Sequence, residues 1–167
     1  MSTLGTDLPR LRNALGQFAT GVTVVTTLTE GRCPVGVTAN SFTSVSLEPP
    51  LILWNLRKAS RSFSAFERSR GFVVNVLSEA QRDIAMRFAS PFDDRFSDIS
   101  WHEGVCGAPV IEGSLATFQC DYVAQYPGGD HGIFVGRVLS FQTVSGRPLL
   151  FFRGGFGEIR ADHHGAR

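Results

Sequence analysis

The sequence predicts a mainly-β domain, an antiparallel barrel with a few short helices, and three observations carry that expectation. About six runs rich in Val, Thr, Ile and Phe are separated by Gly-containing turns. The chain holds 14 Phe and 18 Gly against two Tyr and two Trp, a balance suited to packed sheets and tight turns. Strands and helices do not alternate as in βαβ units, and no Gly-x-Gly-x-x-Gly or phosphate-binding loop joins a strand to a helix.

The elements follow in order. Asp7 and Pro9 start a helix whose Leu8, Leu11, Leu15, Phe18 and Ala19 recur at helical spacing, with Gly21 expected to end it. Val22 to Leu28 is β-branched and runs into the turn Thr29 to Arg32, so a hairpin continues from Pro34 to Ala39. Pro49-Pro50 interrupts pairing before a buried strand from Leu51 to Leu56. Ala59 to Arg68 is a short helix with Phe63 and Phe66 inward, and Gly71 to Leu77 a further strand. Ser78 caps a helix from Glu79 to Ala89, with Ile84, Ala85 and Phe88 on one face. Ser90 to Gly107 is polar and long for a connection, a candidate lid or interface segment. Leu115 to Gln125, Ile133 to Gln142 and Arg147 to Phe152 complete the strands.

At roughly 150 residues per domain, 167 residues make one domain. Its core is expected from about residue 11 to residue 156, with 157–167 a loose tail. The formal net charge of +1 lacks the Lys/Arg excess needed to neutralise nucleic-acid phosphates. Met1 to Asn13 contains no apolar run, and no stretch reaches the roughly 20 apolar residues of a membrane span. Cys33, Cys106 and Cys120 are odd in number and widely spaced, which disfavours a disulfide framework or a metal site. Three thiols in a reducing cytoplasm is the expectation.

Four places carry candidate chemistry. From Thr38 to Ser46, five of nine positions bear a hydroxyl, and Asn40 adds an amide. Each buried hydroxyl without a partner costs roughly 1–3 kcal/mol, so these groups either meet a polar ligand or face water from an edge strand. Asn55 to Ser62 ends an apolar strand and starts a helix. Ser60 and Ser62 there could serve an anion or a cap, with Arg57, Lys58 and Arg61 adding charge. His131 stands between turn glycines and an apolar strand, held without being buried, beside Gly128-Gly129-Asp130, which could equally be a plain hairpin turn. Arg153, next to Gly154-Gly155, suits a ligand phosphate, a partner subunit or a strand-end bulge.

Together these residues resemble the short-chain flavin reductase family, the reductase components of two-component flavin monooxygenases. The resemblance rests on FATGVTVVT from Phe18, GVTANSFTSVSLEPPL from Gly36, the pair Ser60 and Ser62, Gly129-Asp130-His131, and FFRG from Phe151. It implies an FMN-binding split barrel of Greek-key-like topology, working as a cytoplasmic homodimer. It implies a flavin site, for FMN or FAD, lined by Thr38, Ala39, Asn40, Ser41, Ser44, Ser46, Trp54, Asn55, Leu56, Ser60, Arg61 and Ser62. His131 would lie by the nicotinamide of NADH or NADPH, with Arg153 nearby. Two departures are visible: Gly155 and Phe156 stand where many relatives carry a basic residue and Tyr, and Trp54 stands where smaller residues are frequent.

The implied reaction is hydride transfer from NAD(P)H to flavin, with the reduced flavin leaving for a monooxygenase partner. The hard chemistry belongs to the cofactors, which fits a chain with no visible triad or carboxylate pair. Two alternatives stay open: a barrel with tightly held FMN acting on another small acceptor, and a non-catalytic flavin carrier or redox sensor.

Overall fold

The computed structural model describes residues 7–91 and 94–159. Helix α1 (Leu8–Leu15) precedes β1 (Thr20–Gly21), β2 (Thr23–Leu28), β3 (Pro34–Ala39), β4 (Thr43–Leu47) and β5 (Pro50–Arg57). After α2 (Phe63–Glu67) come β6 (Gly71–Val76), a single 3₁₀ turn, α3 (Arg82–Ala89), β7 (Trp101–Glu103) and β8 (Pro109–Ile111). The chain then forms the long hairpin of β9 (Ala116–Gly128) and β10 (His131–Thr143), followed by β11 (Leu150–Phe152) and β12 (Gly155–Gly157). Every strand pair is antiparallel, and the main sheet has seven strands in the order β3-β2-β6-β9-β10-β5-β4.

Local chemistry explains most boundaries. The Asp7 carboxylate accepts from the Arg10 amide and caps α1. That helix ends at Gly16 rather than Gly21, because its apolar residues find no core: Leu8, Leu15 and Phe18 are 64%, 68% and 79% exposed. Ser78 and Gln81 form a capping box, and the first turn behind it is 3₁₀ before α3 begins. Parts of the polar stretch from Ser90 are tied to the body of the fold. Phe96 and Ile99 pack against the core, and Trp101 to Glu103 pairs with β8. Gly157 pairs with Leu150, so the last strand runs one residue beyond the expected core; residues 160–167 of the expected tail lie outside the described residues.

The barrel closes incompletely, and that places the site. Strand β4 pairs with β5 only as far as Leu53, leaving Trp54 to Arg57 without a neighbour on that side. The edge strand β3 approaches there. Ser41, just beyond β3, bridges the gap: its hydroxyl accepts from the Asn55 amide at 2.9 Å and donates to the Asn55 carbonyl at 3.3 Å.

Inside, Trp54 is fully buried, stacked on Phe134 at 5.1 Å and edge-on to Phe66 at 4.8 Å and Phe72 at 5.9 Å. A second cluster joins Val22, Val24, Leu77, Ala85, Phe88, Ile111 and Leu149 between sheet and α3. Gly36 is needed where β3 crosses α3, since a Cβ there would sit 2.5 Å from the Phe88 ring.

The three cysteines are all reduced, with Cys33 exposed, Cys106 half-buried and Cys120 buried. Burial raises both buried thiols, Cys120 to about 12, so the reactive thiolate is suppressed there at neutral pH. Aromatic-disulfide titration should therefore modify one thiol, Cys33, rapidly in native protein, and all three after denaturation. Three rapid reactions in native protein would contradict this packing.

Candidate active site

A cavity of about 540 Å³ opens in the split between β3 and β5. Val37, Thr38 and Ala39 of β3 form one wall, continued by Asn40 and Ser41. Asn55, Leu56 and Arg57 of β5 form the other, with Ser60 beyond them and Gly128, His131 and Ile133 of the β9–β10 hairpin at one end. Eight of the expected site residues thus come together: Thr38, Ala39, Asn40, Ser41, Asn55, Leu56, Ser60 and His131.

Most hydroxyls in this stretch already have backbone partners, an outcome between the ligand-facing and water-facing expectations. Thr38 donates to the Ala85 carbonyl at 2.6 Å, tying β3 to α3. Ser41 is engaged by Asn55, and the Ser60 hydroxyl accepts from the Ser62 amide at 3.3 Å. These bonds shape the walls more than they offer free groups. The exception is Asn55, whose side-chain oxygen is buried without a hydrogen-bond partner. A buried acceptor left unmade costs roughly 1–3 kcal/mol, so the cavity wants a donor at that point.

His131 sits at the start of β10, opposite Arg57 across the β5 pair and opposite Gly128 across the hairpin. Its turn is built by Gly129 at φ +67, a conformation that favours glycine. The Lys58 ammonium donates to the Gly129 carbonyl at 2.8 Å, and the Lys58 amide to the Asp130 carbonyl at 2.9 Å, pinning turn to strand. His131 Nδ1 lies 2.8 Å from Asp130 Oδ1. That hydrogen bond, then the imidazole's charge, holds the Asp130 carboxyl below the usual carboxylate range. An ionised Asp130 accepting from Nδ1–H leaves Nε2 as the ring atom available to a ligand.

Six expected site residues lie elsewhere. Ser44 and Ser46 belong to β4, on the paired half of β5 and away from the split; the Ser46 hydroxyl accepts from the Glu48 amide at 3.2 Å. Trp54 alternates into the barrel interior, because β5 turns Ile52, Trp54 and Leu56 toward the core. Arg61 and Ser62 line a neighbouring cavity. α2 begins only at Phe63, with no side-chain bond from Ser62 to cap it. Arg153 occupies the β11–β12 turn at φ +49, its Nε donating to Gln17 at 2.9 Å and its guanidinium 5.0 Å from the Phe152 ring. Within one chain it does not join His131 in the cavity.

Val37, Gly128 and Ile133 were not anticipated, and Arg57 only as added charge. The period-two alternation of strands carries the signal: Arg57 follows Asn55 by two residues, and Ile133 follows His131 by two.

The chain from residue 15 to residue 160 matches the sequence pattern of the flavin reductase like domain. It is 46% identical over 157 residues to the reductase subunit HsaB of a flavin-dependent monooxygenase from Rhodococcus jostii, covering 93% of this chain and 80% of that protein. It is 46% identical over 156 residues to the FMN reductase (NADH) SmoA of Agrobacterium fabrum, covering 93% and 88%. The NADH:FAD oxidoreductase SgcE6 of Streptomyces globisporus, solved with NAD and FAD fragments, superposes with a TM-score of 0.88 at 38% identity over 97% of this chain and 99% of that one. A pattern spanning nearly the whole chain, on the same incompletely closed barrel, means that this chain belongs to the flavin reductase like domain family.

Proposed function

We propose that the chain is an NADH-dependent flavin reductase that releases reduced flavin to a separate monooxygenase. The observation that supports it most directly is the cavity in the split between β3 and β5, lined by Asn55, a residue whose side-chain oxygen is buried without a partner. A flavin carries hydrogen-bond donors on its ring edge and its ribityl chain, which suit an acceptor held between two strand edges. When bound, the flavin supplies the redox chemistry, accepting a hydride from the reduced nicotinamide.

The chain's own residues then have limited tasks. Thr38 to Ser41 and Asn55 hold the ligand between β3 and β5. The β3 edge presents backbone groups there, because the Gly36 carbonyl points outward to Arg95 at 2.8 Å and Thr38, two residues on, faces the same side. His131, kept in one orientation by Asp130, offers Nε2 to the nicotinamide carboxamide at the open end. A cavity whose hydroxyls are mostly spoken for holds its ligand through few polar contacts, which suits a flavin that must leave.

A homodimer belongs to this reading. α1 exposes Leu8, Leu11 and Leu15, and the β9–β10 hairpin exposes Val123, Leu139 and Phe141. Exposed apolar side chains of this kind suit burial against a second copy of the chain.

The test is an initial-rate grid of FMN and FAD against NADH and NADPH. Flavin should accelerate NADH oxidation, and His131→Ala should raise the KM for NADH about fivefold while moving the flavin KM less. Absence of flavin-dependent oxidation, or a yellow protein that keeps FMN through dialysis and ignores NADH, would overturn the reading.

A further inference from the structure

The turn that presents His131 is held from outside its own hairpin by a single residue of β5's end. Gly129 and Asp130 join two 13-residue strands at an exposed tip, where Gly128 and His131 on either side are half-buried. So short and exposed a turn has few contacts of its own to fix it. Lys58 supplies two. Its amide donates to the Asp130 carbonyl at 2.9 Å, extending the β5–β10 pairing one step past Arg57 and His131. Its ammonium reaches one residue further and donates to the Gly129 carbonyl at 2.8 Å, a charged donor and so a stronger bond than a neutral one.

Two observations give this contact a purpose. Arg57 and Ser60 line the cavity, and so do Gly128 and His131, but Lys58 does not. Its side chain therefore acts on the turn that carries the imidazole rather than on the cavity's contents. Of the chain's 16 Lys and Arg residues, Lys58 is the single lysine. An ammonium is a compact point charge suited to one carbonyl, whereas the guanidinium fork is shaped for paired acceptors.

We propose that Lys58 is a positioning residue for the reduced nicotinamide: its ammonium holds the Gly129-Asp130 turn, and the turn holds His131 toward the open end of the cavity. The proposal rests on the reading of His131 as the nicotinamide contact. A loosened turn lets the imidazole wander, and the cost falls on NADH rather than on flavin.

Lys58→Met keeps the side chain's length and removes the ammonium. It should raise the KM for NADH about fourfold while kcat and the flavin KM stay within about twofold of the parent. Lys58 is exposed, so the melting temperature should move by less than about 3 °C. In a His131→Ala background, Lys58→Met should add nothing, because the ring it positions is gone. A full fourfold increment there would make Lys58 a charge partner of the ligand itself and overturn the positioning role. An NADH KM left at the parent value, or a flavin KM rising alongside it, would overturn it as well. The single lysine allows the same test without mutation. Acetylation of the full-length chain by an N-hydroxysuccinimide ester reaches one side-chain amine, and it should reproduce the Lys58→Met kinetics in the parent. It should leave the variant's own kinetics as they are, which accounts for the α-amino group. A fully acetylated parent that keeps its NADH KM would overturn the proposal. Failure of the underlying reading looks different: His131→Ala alone would then leave the NADH KM unchanged, and the role of Lys58 would fall with it.

Discussion

Trp54→Ala should destabilise the chain by about 3–5 kcal/mol, the range for removing a large aromatic from a closed core. The indole is fully buried and touches Phe66, Phe72 and Phe134, three rings drawn from α2, β6 and β10. Its loss would leave a void that those elements cannot jointly fill, because each is pinned by its own strand or turn. For a chain of this size the melting temperature should drop by about 10 °C or more. Trp54→Phe makes the sharper comparison. The indole Nε1 is buried with no hydrogen-bond partner, so a ring without that N–H removes a desolvation cost while giving up some packing. Trp54→Phe should lie within about 1.5 kcal/mol of the parent. Its flavin KM should be unchanged, since Trp54 faces the barrel interior and not the cavity. A flavin KM that moves with Trp54→Phe at unchanged stability would return the indole to the site.

How far this site was legible in the sequence depends on what kind of force fixes each residue. Hydrophobic alternation is local, so the strands from Val22, Pro34, Leu51, Gly71, Leu115 and Ile133 emerge within a few residues of their observed bounds. The short paired segments β7 and β8 carry three residues each and no usable period, so no local pattern announces them. The hydroxyl-rich stretch held two answers at once. Thr38 to Ser41 lines the cavity while Ser44 and Ser46 sit on an edge strand, because pairing of β4 with β5 stops at Leu53. Composition is uniform across that boundary; only the length of a neighbouring strand decides which side a serine falls on. The same limit applies to Trp54. Its exposure follows from parity within β5, which one residue of register would reverse. Arg153 belongs to a turn whose partners lie more than a hundred residues away, at Gly16 and Gln17, a distance no local pattern spans.

Asn55→Leu should act on folding and on binding in opposite directions. In the free chain the Asn55 side-chain oxygen is buried with no partner, so its replacement by an apolar group of similar size removes an unmet acceptor. The backbone bridge to Ser41 uses the Asn55 amide and carbonyl, and it survives the substitution. Unfolding free energy without ligand should therefore stay level or rise by about 1 kcal/mol. Flavin dissociation constants should rise about tenfold, the equivalent of one hydrogen bond of about 1.4 kcal/mol lost from the bound state. Saturating flavin should then protect the variant less than the parent in a melting experiment, by the same free-energy difference at equal ligand concentration. A residue that merely braces the split would lose stability and affinity together, and one facing solvent would change neither. Only an acceptor waiting for a ligand's donor makes the empty chain firmer and the complex weaker.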